Sequence, residues 1–94
     1  MTVIIEIGEG RTLEPVEYAK DDPVRTVGYI ERHPRPDTGE PCAGFLWVDA
    51  ESEAHVDGPV WQVDSWDPLT LSPSVLCRSC GNHGFVREGK WVPA

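Results

Sequence analysis

The chain has 94 residues, nine Gly, nine Pro, three Cys and a formal charge of −8, from 16 acids against eight bases. A chain this short buries only about 60–65% of the surface it exposes when unfolded, so its core needs a staple, which cysteines can supply. No apolar run approaches the roughly 18 residues of a membrane span, and MTVIIEIGEG lacks the basic flank of a secretion signal, so one cytoplasmic domain over residues 1–94 is expected.

Thr2 to Ile7 is rich in β-branched residues and ends at Gly8-Glu9-Gly10, so it reads as a strand closed by a turn. TLEPVEYAKDDP has no sustained helical period, and Pro15 and Pro23 limit any helix there to a turn or two. Val24 to Glu31 reads as a second strand and HPRPDTGEP, residues 33–41, as a loop. Gly44 to Asp49 suits a buried strand, and Glu51 to Gly58 is acidic and turn-like. Pro59 to Trp66 alternates, with Trp61, Val63 and Ser65 on one face and Val60, Gln62, Asp64 and Trp66 on the other. Trp47 and Trp61 are assigned to the core, Trp66 to the surface. Leu69 to Leu76 resumes strand character but is broken by Pro73, which cannot donate to a ladder. Phe85 to Arg87 and Lys90 to Val92 flank Glu88-Gly89 as a tight hairpin. The expected fold is mainly β, five to six short antiparallel strands with little helix.

Charge is uneven along the chain. Residues 1–46 hold nine acids against five bases, and residues 47–76 hold six acids and no Lys or Arg. The last eighteen residues reverse the sign, with Arg78, Arg87 and Lys90 against Glu88. A negative field repels phosphate backbones, so general DNA or RNA binding is not expected.

The sharpest motif is CRSCGNH, in which Cys77, Cys80 and His83 stand three residues apart and Gly81 follows the second cysteine. Two thiolates separated by two residues reach one ion because the chain turns between them, and the glycine relieves that turn. A c-type haem site needs the histidine directly after the second cysteine, but Gly81 and Asn82 intervene. A thioredoxin-like pair needs a βαβ unit, which is absent from the pattern, and a Cys77 to Cys80 disulfide does not suit a reducing compartment. Zinc takes four ligands in structural sites, so a fourth is needed. Cys42 is the best candidate, because thiolate is the preferred donor and it precedes the GFLW strand; His55 and His33 are runners-up.

Catalytic patterns are missing from this reading. Ser72 and Ser74 lack a nucleophile-elbow context and a matching His/Asp arrangement, and no HExxH or phosphate-cradling loop occurs. The expectation is therefore no enzyme. The chain is expected to bind a protein, a host factor of basic surface, through Trp66, Asp49, Glu51 and Glu53. Two other readings stand beside it: a zinc-dependent hydrolase with an open coordination position, and an acidic mimic of nucleic acid that blocks a DNA-binding protein.

Trp66 to Ala94, WDPLTLSPSVLCRSCGNHGFVREGKWVPA, resembles a family of small proteins encoded by phages of actinobacteria. It is similar, more distantly, to small bacterial domains that carry an LSPS segment, then Cys-x-x-His, an aromatic-rich strand and a short basic turn. Cys80, His83, Phe85 and Arg87 stand at the corresponding positions. The resemblance implies a zinc-binding, β-rich fold and a phage origin. Cys77 has no counterpart in the distant relatives, whose first cysteine pair lies upstream as Cys-x-Cys.

Overall fold

Alternating polar and apolar residues build a four-stranded antiparallel meander from the first half of the chain: β1 (Ile5–Gly8), β2 (Arg11–Glu17), β3 (Thr26–Pro34) and β4 (Pro41–Trp47). The computed structural model describes residues 3–94, so Thr2, the start of the first expected strand, lies outside the described residues. β2 falls in the TLEPVEYAKDDP stretch, where at most a turn or two of helix and no strand was expected, and it carries Pro15 inside it. The reason is local: β1 pairs with β2 only as far as Leu13, so Pro15 lies beyond that ladder and no N–H is required of it on that side. The β1–β2 turn uses Glu9 and Gly10 at φ 54° and 72°. In β3 the inward set is Val27, Tyr29, Glu31 and His33, while Arg32 between the last two faces solvent. The HPRPDTGEP loop is shorter than expected, since β3 runs to Pro34 and β4 begins at Pro41.

The second half supplies a two-stranded sheet, β5 (Gln62–Trp66) with β6 (Leu69–Ser72), and a three-stranded sheet in the order β7 (Val75–Leu76), β8 (His83–Arg87), β9 (Lys90–Pro93). Pro73 separates β6 from β7, as its missing donor requires. The β8–β9 hairpin turns on Glu88 and Gly89, both at positive φ (50° and 74°), the backbone of a type I′ turn. There are nine strands and no helix among the described residues, so the chain is mainly β, with more strands than expected.

One core joins these sheets. Ile7, Leu13, Tyr29 and Leu46 from the meander meet Leu69, Leu71, Val75, Val86 and Trp91, with Trp61 and Val63 packed against them. Trp47 is only partly buried, and its ring sits 4.6 Å from Phe45 and 5.1 Å from His55 on the flank of the sheet. Trp91 takes the core place expected of Trp47, while Trp61 packs against the core as expected. β6 packs on β8 and β1 on β9, which brings the C-terminal hairpin against the first strands. No helix among the described residues is long and apolar enough to cross a membrane.

Candidate functional site

The β3–β4 register sets the first half of the site. His33 stands directly opposite Cys42, so both side chains leave the same face of the meander at its loop end. The knuckle after β7 supplies the other half, closed by backbone bonds from Cys77 N–H to the Asn82 carbonyl at 2.8 Å and from Gly81 N–H to the Cys77 carbonyl at 2.7 Å. Gly81 takes φ 79°, which fits its position after the second cysteine. The donor atoms of His33, Cys42, Cys77 and Cys80 lie within 4.8 Å of one another. His33 Nε2 is 3.2 Å from Cys80 Sγ, and Cys42 Sγ is 3.6 Å from Cys77 Sγ. A tetrahedral ion with metal–sulfur bonds of about 2.3 Å places neighbouring sulfurs about 3.8 Å apart, so this group can hold one metal.

His33 does not stand there unsupported. Its Nδ1 is 2.5 Å from Glu31 Oε2, and the other oxygen of Glu31 accepts from the Arg11 guanidinium. Arg11, Glu31 and His33 are at most 4% exposed. The guanidinium also lies over the Trp91 ring, 3.7 Å from its centroid. A carboxylate on the far nitrogen fixes the imidazole tautomer and turns Nε2 toward the thiols, the usual outer support of a metal-binding histidine. Burying Glu31 without Arg11 would be costly, so the pair is held together by mutual compensation. Burial pushes the Cys42 thiol above its ordinary range, reinforced by Cys77 beside it. Burial acts in the same sense on Cys77, but hydrogen bonds from the backbone N–H groups of Cys80 and Ser79, together with the Cys80 and Cys42 thiols, hold that thiol below its ordinary range.

His83 lies outside this group, which corrects its expected role as a ligand. The register pairs it with Leu76 and leaves it on the exposed face of the three-stranded sheet. There its Nε2 is 2.8 Å from Ser74 Oγ. The fourth position in the cluster is filled by His33, which is buried. His55 is also elsewhere, with Nε2 3.3 Å from the Gly58 carbonyl. His33 was findable in the sequence: a six-residue loop between two strands sets residues 33 and 42 opposite each other. Likewise the knuckle, read as the loop of a hairpin, sets residue 76 opposite residue 83 and leaves residue 74 on the same face, diagonal to the histidine.

Ser74 is partly buried, and its carbonyl accepts from the Trp61 indole N–H at 3.2 Å, which anchors the start of β7 to β5's approach. No acid touches the other ring nitrogen of His83 among the described residues, so the arrangement is a serine–histidine pair without a third member. A hydroxyl within hydrogen-bond reach of an imidazole is the minimal arrangement for an activated oxygen nucleophile.

The residues expected to contact a partner are on a different surface. Trp66 is 59% exposed at the end of β5 and shares a small cavity with Arg25 and Asp49. Asp49 is ion-paired with Arg25, which holds its carboxyl below the usual range. Glu51 and Glu53 are exposed; their backbone N–H groups donate to Asp49 and Asp21 at 2.9 and 3.0 Å.

A family model described as bacterial ubiquitination-like system serine protease (BubE) matches residues 42–94, more than half of the chain. The matched span contains Ser74, His83 and all three cysteines but ends short of His33. This match overturns the expectation that the chain is no enzyme, because the family is named for serine protease activity. Ser74 and His83 stand nine residues apart and form no contiguous motif; they meet through the β7–β8 pairing. Comparison with curated proteins and with solved structures gives no match.

Proposed function

The chain belongs to the BubE family, and from that premise we propose that it is a serine protease of a bacterial ubiquitination-like system, with Ser74 as nucleophile and His83 as general base. The observation that carries this reading is the 2.8 Å contact between Ser74 Oγ and His83 Nε2 on an open face of the sheet. With the ring neutral, Nε2 accepts the serine proton as Oγ attacks the carbonyl carbon of the scissile peptide bond. The imidazolium then returns that proton to the departing amine, which leaves an acyl group on Ser74. Water, deprotonated by the same nitrogen, releases the acid and restores the hydroxyl. Without a carboxylate behind it, His83 is oriented by Ser74 and by the strand that carries it.

Zinc is the metal that the Cys42, Cys77, Cys80 and His33 donor set fits best, since three thiolates and one imidazole make a closed structural site. When bound it supplies a cross-link between the β3–β4 hairpin and the knuckle, and no reacting group. The knuckle is also the connection between the strand that follows Ser74 and the strand that begins with His83.

The test is covalent labelling of the purified chain with a fluorophosphonate probe, read by intact mass and peptide mapping. The expected result is one adduct on Ser74, absent from Ser74→Ala and strongly slowed in His83→Ala. An adduct on another serine, or none on a folded, metal-loaded chain, would overturn the assignment.

A further inference from the structure

The three-stranded sheet has a buried face, formed by Val75, Gly84, Val86 and Trp91, and an open one. Ser74 shares the open face with His83, Phe85 and Arg87, since residues two apart on a strand point the same way. A groove of about 800 Å³ opens beside Ser74, with Phe85 and Val92 along it and Arg87 and Lys90 at its sides.

The two cations are placed in a way that folding alone does not favour. Arg87 and Lys90 stand directly opposite each other across the β8–β9 ladder, where like charges repel. Arg11, Arg25, Arg32 and Arg35 are each ion-paired with an acid; Lys20, Arg78, Arg87 and Lys90 are not, among the described residues, and of these four Arg87 and Lys90 line the groove. Arg87 is laid over the Phe85 ring, 4.1 Å from its centroid, which fixes its position without neutralising it. Two acids also line the groove. Asp64 is occupied, taking bonds from Gln62 Nε2 at 2.7 Å and from Ser72 Oγ, while Glu88 sits in the turn. In a chain with twice as many acids as bases, a groove whose two cations balance its two acids is less negative than the rest of the molecule, and neither cation is ion-paired.

We propose that this groove binds the substrate next to its scissile bond and that Arg87 and Lys90 select a carboxylate there, either an acidic side chain or a free chain terminus. The proposal rests on Ser74 being the nucleophile. Residues two apart on a strand are about 7 Å apart, so Arg87 stands one such step beyond Phe85 and within reach of a substrate residue close to the bond cut.

The probes are N-acetylated octapeptides identical except for one residue, Glu, Gln or Lys, each made with a free-acid or an amide terminus. Their binding to the metal-loaded Ser74→Ala chain is followed by NMR titration, and the wild type is labelled with fluorophosphonate in parallel. Expected is roughly 5–20-fold tighter binding of carboxylate-bearing peptides, the range that two solvent-accessible cations supply, fading as salt rises. Whether the Glu peptide or the free-acid terminus carries the gain identifies the source of the carboxylate. In the Arg87→Glu, Lys90→Glu double variant the preference should vanish or pass to the Lys peptide. Should that variant fail to melt cooperatively, the Gln pair replaces it and the preference should vanish. Ser74 labelling with no preference among peptides, or a preference unchanged in the variants, overturns the proposal while leaving the nucleophile assignment intact. Absence of Ser74 labelling removes both.

Discussion

Ten consecutive residues, Ser74 to His83, contribute to two sites of opposite character. Cys77 and Cys80 join a group whose supports, Glu31 and Arg11, are withdrawn from water and mutually bonded. Ser74 and His83 face outward, and their contact leaves one ring nitrogen free among the described residues. The contrast follows from strand alternation and from what each site needs. A metal group that stabilises the fold gains from a low-dielectric surround and saturated hydrogen bonds, whereas a nucleophile has to be reached by its substrate. The knuckle serves both, closing the metal group and setting the separation of serine and histidine.

This comparison is broken most severely by removing the metal. Chelation, or Cys77→Ser, should abolish cooperative melting, since structural zinc in small domains contributes on the order of 10 kcal/mol; calorimetry of the chelated and reloaded chain checks it. Ser74→Ala should do the reverse. Peptidase turnover should fall about 10⁴-fold or more while the melting temperature stays within a degree or two, because an outward hydroxyl supports little packing. Glu31→Gln should weaken metal affinity about 10–100-fold by loosening His33, measured by competition with a chromophoric chelator. Gly84→Ala tests the sheet between the two sites. Its Cβ would meet Trp91 Cζ2 at 2.4 Å and the Val92 carbonyl at 2.7 Å, so a loss of about 1–3 kcal/mol in denaturant unfolding is expected.

The smallest effect concerns pH. Arg25 holds the Asp49 carboxyl below the usual carboxylate range, so the pair's contribution is present above that range and is lost as pH falls through the depressed value in the folded chain. Both groups are partly open to solvent, so Arg25→Ala should flatten the acid limb of the stability curve only slightly.

Much of the fold was legible because strand periodicity and turn chemistry are local. The Glu88-Gly89 turn, the break at Pro73 and the alternation of β5 follow from neighbouring residues. β2 was not legible, since whether Pro15 is tolerated depends on how far β1 reaches along it. At the site, the Cys-x-x-Cys spacing announced a metal group, and Cys42 could be nominated on thiol chemistry. His33 and His83 exchanged roles because spacing along the chain favoured His83, whereas the β3–β4 and β7–β8 registers decide which ring meets the thiols. The Ser74–His83 contact spans nine residues and exists only once the knuckle folds back.

The stack of Arg11 on Trp91 gives the molecule an optical reporter. Trp91 is the most buried of the four tryptophans, and the guanidinium over its ring belongs to the same chain of contacts that ends at His33 and Cys80. Excited indoles respond strongly to a nearby charge, so the emission of Trp91, isolated by changing Trp47, Trp61 and Trp66 to Phe, should register the state of a cysteine group that contains no chromophore. A single fluorescence trace could then follow metal exchange in real time while labelling of Ser74 is monitored in the same sample.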